Sequence, residues 1–389
     1  MLFRLKIRNG LSWMPAAGVH LPNARKAMTP VADNTDHLWT QALSDQLPRK
    51  VVWRLVRQFL SPEEACRDQA DATLHQQIAA LLAWSVVSRH PSPHSTKLLL
   101  GNAAGTRCEA VALFPDGKRA RGTSGNLASN NLPGRPDPRT RPKRAAACIS
   151  SQPGCGVGCP FCATGELGYR GNLTAAEMVE QVYWAGVEAR QRGRILKNVV
   201  FMGMGEPLHN RTALLQTLEW LTAGRLFALA PRRLTVSTAG VPGGMLELAR
   251  RFPDVRLALS LHAADPDLRR QLVPRAVADL NVLRECIREL NALQPQQAVW
   301  LEVVLFAELN DAPEQARQLV EFCQGLRVEV NLIPYNVAAN SDRFHPSPLA
   351  SREAFAAILR QAGIRTTFRT SFGQDSNAAC GQLQAGGDT

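Results

Sequence analysis

The sequence predicts an α/β fold: a parallel sheet, doubly wound or curled into a partial barrel, with helices on its outside. Three observations predict it. From Ala145 onward, short aliphatic runs alternate with amphipathic helical stretches through six repeats. Residues of unusual chemistry fall at or just past the C-terminal ends of those runs, where parallel sheets and barrels carry their sites. A chain of 389 residues, 45% apolar and 20% charged, also suffices for one large domain and a small companion.

In chain order, residues 1–100 read as an N-terminal accessory region: an irregular arm, then short helices over 51–60 and 72–88, without a chemistry-bearing motif. The first residues are basic and free of acids, but their apolar runs are short and broken by Pro15 and Pro22, unlike a secretory signal. A transit peptide and a later start at Met28 both stay open. Residues 101–140 read as a strand pair (TKLLLGN, whose strand-like pattern sets in at Lys97, its second residue, and RCEAVAL) with a Gly/Asn/Pro-rich loop insertion over 115–143. Lys118, Arg119, Arg121, Arg135, Arg139, Arg141, Lys143 and Arg144 face only Asp116 and Asp137 there, so eight minus two gives +6 of the chain's +12. Such a balance favours a polyanionic partner, nucleic acid above all.

Residues 141–376 form the core. Its strand candidates are AACIS (146–150), NVVFM (198–202), RLTVS (233–237), RLALS (256–260), VWLEVVLF (299–306) and VEVNLI (328–333). The clearest helix opens at Thr174, where TAAE is a capping box closed by Glu177. Val179, Val182, Tyr183 and Gly186 then repeat on one face. Residues 377–389 are a tail. No stretch approaches the ~18 apolar residues of a membrane span. Nine unevenly placed cysteines are no disulfide scaffold and point to a reducing compartment, the cytoplasm by default.

Three cysteines crowd together as Cys155-GVG-Cys159-PF-Cys162. Thiolates at spacings of four and three in a glycine-bearing loop can converge on one metal centre. Three ligands leave one iron of a 4Fe–4S cube open, able to chelate the amino and carboxylate groups of S-adenosylmethionine (SAM). The rival is zinc, which needs a fourth Cys or His that does not appear close downstream; a zinc-stabilised RNA-binding module is the non-enzymatic form of that reading. FMGMGEP lacks the third glycine of a dinucleotide loop. Ser237, Ser260 and Asn336 sit at successive strand ends, where simple capping is the bland reading of each serine. Cys380 lies on a slim segment, AACGQL, and Cys148 at a strand end.

The stretches CISSQPGCGVGCPFCATGELGYRGNLTAAEMVEQV, FMGMGEPLHN, LTVSTAG, LALSLHAADPDLRRQLVP, VNLIPYN and RTSFGQDSNAACGQL, in this order, resemble the RlmN/Cfr family of radical-SAM rRNA adenine methyltransferases. The resemblance runs over 144–383 and reaches back weakly to Glu109. It implies a partial (β/α)6 radical-SAM barrel with a 4Fe–4S cluster on Cys155, Cys159 and Cys162. It assigns SAM, two per turnover, to Gly205, Glu206, Ser237, Ser260, Leu261, His262 and Asn336. Cys380 becomes the methyl carrier, Cys148 the cysteine that releases it through a transient disulfide, and Glu109 the proton acceptor. The implied substrate is an adenine of 23S rRNA and of some tRNAs, methylated at carbon 2, with the carbon 8 chemistry of the Cfr branch as the alternative. An electron donor such as flavodoxin and a monomeric state complete the expectation. Other radical-SAM enzymes would keep the three clustered cysteines without needing Cys148 and Cys380. The chain departs from the family in its basic insertion, its N-terminal region and the QDSN before Cys380. Cys66, Cys108, Cys286 and Cys323 are left to the core.

Overall fold

A computed structural model describes residues 82–115, 143–224, 226–276, 278–337, 343–369 and 379–384. The expected helix over 51–60 and nearly all of the basic insertion lie outside the described residues. Among the described residues, ten strands form one sheet whose lateral order is their order in the chain. The first three, β1 (Ser85–Pro91), β2 (Ser95–Gly101) and β3 (Arg107–Leu113), are antiparallel, and β3 is antiparallel to β4 (Lys143–Cys148). From β4 onward every pairing is parallel, through β5 (Arg194–Phe201), β6 (Leu234–Thr238), β7 (Arg256–Ser260), β8 (Val299–Leu305), β9 (Val328–Pro334) and β10 (Arg365–Phe368).

Parallel neighbours require a crossover, and helices supply it. In chain order these are α1 (Ala163–Glu166), α2 (Ala175–Gln191), α3 (Arg211–Thr222), α4 (Pro242–Arg251), α5 (Pro266–Leu272), α6 (Leu280–Leu293), α7 (Pro313–Cys323) and α8 (Leu349–Gln361). Strands β4 to β9 are each followed by helix, giving the six expected units, and β10 adds a seventh parallel strand. Among the described residues β1 and β10 do not pair with each other, so the barrel is open.

Two expectations differ. Residues 85–88, read as the end of a helix, open β1 instead; the sheet therefore begins inside the segment assigned to the accessory region. Residues 365–368 were not expected to form a strand, yet RTTF pairs with β9 from Arg365↔Glu329 to Phe368↔Leu332.

The local chemistry accounts for the helices. The Thr174 hydroxyl accepts the Glu177 N–H at 3.2 Å and the Glu177 carboxylate accepts the Thr174 N–H at 2.8 Å, the expected capping box. Helix α2 is buried from Ala175 to Ala189, so its polar members must be matched. The Glu180 carboxylate takes the Trp84 N–H at 2.9 Å, and the Trp184 indole donates to the Trp84 carbonyl at 3.1 Å. By contrast α6 is a surface helix: Leu280, Leu283, Cys286, Ile287 and Leu290 make its buried stripe, and Asp279 caps it through the Val282 N–H at 2.9 Å. Each fully buried leucine of such a stripe contributes about 1.5–3 kcal/mol. Cys108, Cys286 and Cys323 are buried core residues, as expected.

Candidate active site

Leaving β4 at Cys148, the chain is held at the C-terminal edge of the sheet. The Ser150 N–H donates to the Gln181 side chain at 2.7 Å, and that side chain returns a bond to the Ser150 carbonyl at 2.9 Å. The Ser151 N–H reaches the Met204 carbonyl, after β5, at 2.8 Å. The loop then turns through Gly158, at φ +70°, a value that favours glycine. A side chain at Gly165 would lie 2.6 Å from the Cys159 carbonyl, so α1 packs onto the cysteine loop only because that position is bare. The result brings Cys155, Cys159 and Cys162 onto the wall of one cavity of about 170 Å³. Phe161, between the second and third, is buried against His262 and Phe306, with ring centroids 5.0 and 5.2 Å away.

Burial pushes all three thiols up, Cys155 to about 11. Such thiols ionise when a cationic metal centre takes them as ligands. Among the described residues no group of three His, Cys, Asp or Glu side chains is arranged to hold a single metal ion. Three soft thiolate donors on one cavity wall suit an iron–sulfur cluster.

The same cavity is lined by Gly205, Glu206, Ser237, Ser260, His262 and Asn336. Gly205 stands at φ +97°, and a Cβ there would come within 2.5 Å of the Gln152 side chain. This close approach hands the Glu206 N–H to the Gln152 side-chain oxygen, Oε1, at 2.9 Å. Glu206 is buried, with Oε1 accepting the Leu208 N–H at 3.0 Å and Oε2 the Ala239 N–H at 2.6 Å. Burial raises its carboxyl, and those two N–H groups oppose the rise. A buried carboxylate already oriented by backbone donors is apt to hold an ammonium group. The Ser237 and Ser260 hydroxyls lie 3.3 Å apart across β6 and β7.

His262 is at φ +61°, its Nδ1 facing the Val304 N–H at 3.3 Å; burial lowers its pKa to about 3, so the ring is neutral. Leu261 is fully buried, its N–H spent on the Glu302 carbonyl at 3.0 Å, and it does not line the cavity. Asn336, on the same cavity wall, donates its amide to the Cys380 carbonyl at 3.1 Å.

Cys380 is on the cavity wall. Cys148 is buried close by, pushed up to about 12 by burial and then by the nearby Cys380, with Arg369 opposing. Both thiols are free. Glu109 does not line the cavity; it pairs with Lys97 and accepts the Gln384 N–H. Sequence reasoning missed Arg369 and Glu302. Arg369 follows β10, with its guanidinium 3.6 Å from Glu302 Oε2 and 3.1 Å from the Met202 sulfur. The rule of strand ends would have found Arg369 had β10 been recognised; Glu302 lies in the middle of β8, where that rule does not look. The Tyr335 hydroxyl of this wall is buried without a hydrogen-bond partner, and Glu302 Oε2 has only the Arg369 guanidinium beside it. An unmet hydroxyl, a bare glycine rim, an ammonium-ready carboxylate and three thiols fit a 4Fe–4S cluster with SAM beside it.

Comparison with known proteins agrees. The Radical SAM superfamily model matches residues 149–322. A probable RNA methyltransferase of Rhodopirellula baltica is 45% identical over 241 residues, 62% of this chain and 63% of the relative. The dual-specificity RNA methyltransferase RlmN of Syntrophobacter fumaroxidans is 43% identical over 243 residues, 62% of this chain and 70% of the relative. The match thus spans less than two thirds of the first relative and little more of the second. The crystal structure of a radical SAM methyltransferase from Sphaerobacter thermophilus superposes with a TM-score of 0.73 at 33% identity, over 90% of this chain and 98% of that one. Among the described residues no helix is long and apolar enough to cross a membrane.

Proposed function

The chain belongs to the RlmN family of radical-SAM RNA methyltransferases, and on that premise we propose that it methylates carbon 2 of an adenine in 23S rRNA and in some tRNAs. The observation that carries the reading is the fourth and fifth cysteine: Cys380 on the same wall as Cys155, Cys159 and Cys162, with Cys148 beside it. A radical-SAM enzyme of another kind has no use for that pair.

Cys155, Cys159 and Cys162 would hold the cluster; Glu206, Ser237, Ser260 and the His262 backbone would hold SAM, with Asn336 at the border between SAM and the tail. When bound, these groups supply a transferable methyl and, after one-electron reduction by a donor such as flavodoxin, a radical able to take hydrogen from an S-methyl group. The protein's own residues do the rest. Cys380, as thiolate, accepts a methyl group by displacement, its sulfur–carbon bond forming as the sulfonium bond breaks. This answers a chemical problem, since the adenine carbon is too weak a nucleophile to attack a sulfonium itself. Once that carbon is joined to adenine, Glu109 accepts the proton displaced from the ring. Cys148 then attacks the Cys380 sulfur: the sulfur–carbon bond breaks with its electron pair going to the carbon, which takes a proton to become the methyl group. The one electron left from the radical addition would return to the cluster, and the two sulfurs are joined as a disulfide that a cellular reductant reopens. The Arg369 guanidinium opposes the rise that burial imposes on the Cys148 thiol.

The test is mass spectrometry of adenosines from 23S rRNA and tRNA incubated with the reconstituted enzyme, SAM and a reductant. Methyl at carbon 2 is expected. Methyl at carbon 8 would move the enzyme to the other branch, and unmodified RNA would overturn the reading.

A further inference from the structure

The tail residues 379–384 are seated by three separate parts of the chain. Besides Asn336 on the Cys380 carbonyl, the Ala163 N–H donates to the Gly381 carbonyl at 2.8 Å and the Thr164 hydroxyl to the Leu383 carbonyl at 2.6 Å. The last bond differs in kind: the Gln384 N–H donates at 3.0 Å to Oε2 of Glu109, a carboxylate. Hydrogen bonds to charged acceptors are the stronger ones. The other oxygen, Oε1, is 3.2 Å from Lys97 Nζ, and both side chains are buried.

The sheet makes this pairing. In the β2–β3 register Lys97 faces Val111 and Leu99 faces Glu109, so Lys97 and Glu109 are diagonal neighbours on one face. The Glu109 backbone is fixed in turn, its carbonyl accepting the Ser150 hydroxyl at 2.5 Å and its N–H pointing at the Met204 sulfur at 3.4 Å. A buried ion pair is a poor way to hold two strands together, because desolvation offsets its attraction and apolar residues would serve as well. What an apolar pair would not supply is an oriented anionic oxygen turned toward the tail.

We propose that Lys97 is a positioning residue that, through Glu109, anchors the C-terminal tail and so sets where Cys380 stands relative to the cavity and to Cys148. The proposal rests on the reading of Cys380 as methyl carrier. Lys97 acts only through Glu109: it fixes the carboxylate, the carboxylate fixes the Gln384 N–H, and four residues of chain carry the constraint to Cys380.

Hydrogen exchange on the full-length, cluster-loaded enzyme tests it, read on the peptic fragment that covers the tail. Lys97→Met should speed exchange at the Gln382 and Gln384 amides about tenfold or more, the scale of one lost charge-assisted bond. Lys97→Arg should restore protection. Gln384→Pro, which removes the donor without touching the sheet, should speed Gln382 to a similar degree, and β3 amides should stay protected in every variant. Turnover should fall in Lys97→Met at unchanged KM for RNA. Wild-type tail exchange in Lys97→Met or in Gln384→Pro overturns the proposal, as does a rise in β3 exchange as large as the tail's. Intact mass on the same samples reads the methyl on Cys380. A tail that loosens in an enzyme never methylated there leaves the anchor standing and removes the carrier.

Discussion

The two edges of the parallel sheet spend their polar atoms differently. At the N-terminal edge they are consumed by the fold. Arg327, just before β9, donates to the Gln294 and Gln297 carbonyls at 3.0 Å each and to the Asn291 carbonyl, closing the C-terminal end of α6. Arg284 likewise takes the Glu321 carbonyl at 2.8 Å, the Gln324 carbonyl at 3.1 Å and that of Phe322, at the end of α7. Cations there complement the negative ends of the helices. At the C-terminal edge, the Tyr335 hydroxyl is buried without a hydrogen-bond partner, Glu302 Oε2 has only the Arg369 guanidinium beside it, and five cysteines form no disulfide. One edge is finished by the protein itself; the other is finished by what binds there.

Substitutions at the two edges should therefore fail in different ways. The largest effect belongs to the cluster cysteines: Cys155→Ala, Cys159→Ala or Cys162→Ala should each abolish SAM cleavage and the brown absorbance of the reconstituted protein. A reducible cluster surviving in all three would dissolve the distinction between the edges.

Next come the two reactive cysteines, whose loss should stop the reaction on opposite sides of one bond. Cys380→Ala should bind cluster and SAM yet never methylate RNA. Cys148→Ala should stall after carbon joins adenine, leaving an RNase-sensitive shift on denaturing gels that disappears in the double variant. Full methylation by Cys380→Ala would end the carrier scheme.

At the opposite edge, Arg327→Ala should cost stability and leave chemistry alone. A loss of about 2 kcal/mol in urea unfolding is expected from the surrendered charge-assisted bonds, with methylation per folded molecule unchanged. A drop in turnover at intact stability would mean that this edge, too, serves the reaction.

The smallest effect is one of pH. In the unfolded chain the His262 imidazole takes a proton below about pH 6.5; in the fold it does so only near 3. Between those values the unfolded form holds the extra proton, so stability falls as pH drops through this window, by at most about 1.4 kcal/mol per pH unit. His262→Asn should flatten the curve between pH 6.5 and 5.5. An unchanged difference between variant and wild type across that unit would show that the ring is not held neutral.

What could be read beforehand follows the same division. Strands β4 to β9 announce themselves because a sheet covered on both faces needs runs such as RLALS, with its central three residues buried. β10 is four residues with two outward-facing positions, RTTF, too short and polar for periodicity to register. Its omission hid Arg369. β1 was hidden by a helical pattern running into SVVS. The candidate ligands that lie beside their neighbours in sequence were legible as motifs. The use to which Asn336 puts its amide was not, for its partner, Cys380, is 44 residues away and joined to it only by the folded chain. Leu261 shows the converse: it sits inside a motif, but its side chain belongs to the core.

The sheet's lateral order has a consequence in time. Each strand pairs with the one just before it, so the barrel grows by local closures whose entropic cost is small. The bonds that seat the tail join Thr164 to Leu383, 219 residues apart, and Glu109 to Gln384, 275 apart. They cannot form until the end of the chain has been made. On the ribosome the three thiols of the cluster loop are thus assembled well before Cys380 arrives. Pulse-labelled exchange during refolding should find the tail amides the last to gain protection, after a sheet that is already complete. The wall that carries Cys155, Cys159 and Cys162 closes first, and Cys380 reaches it last.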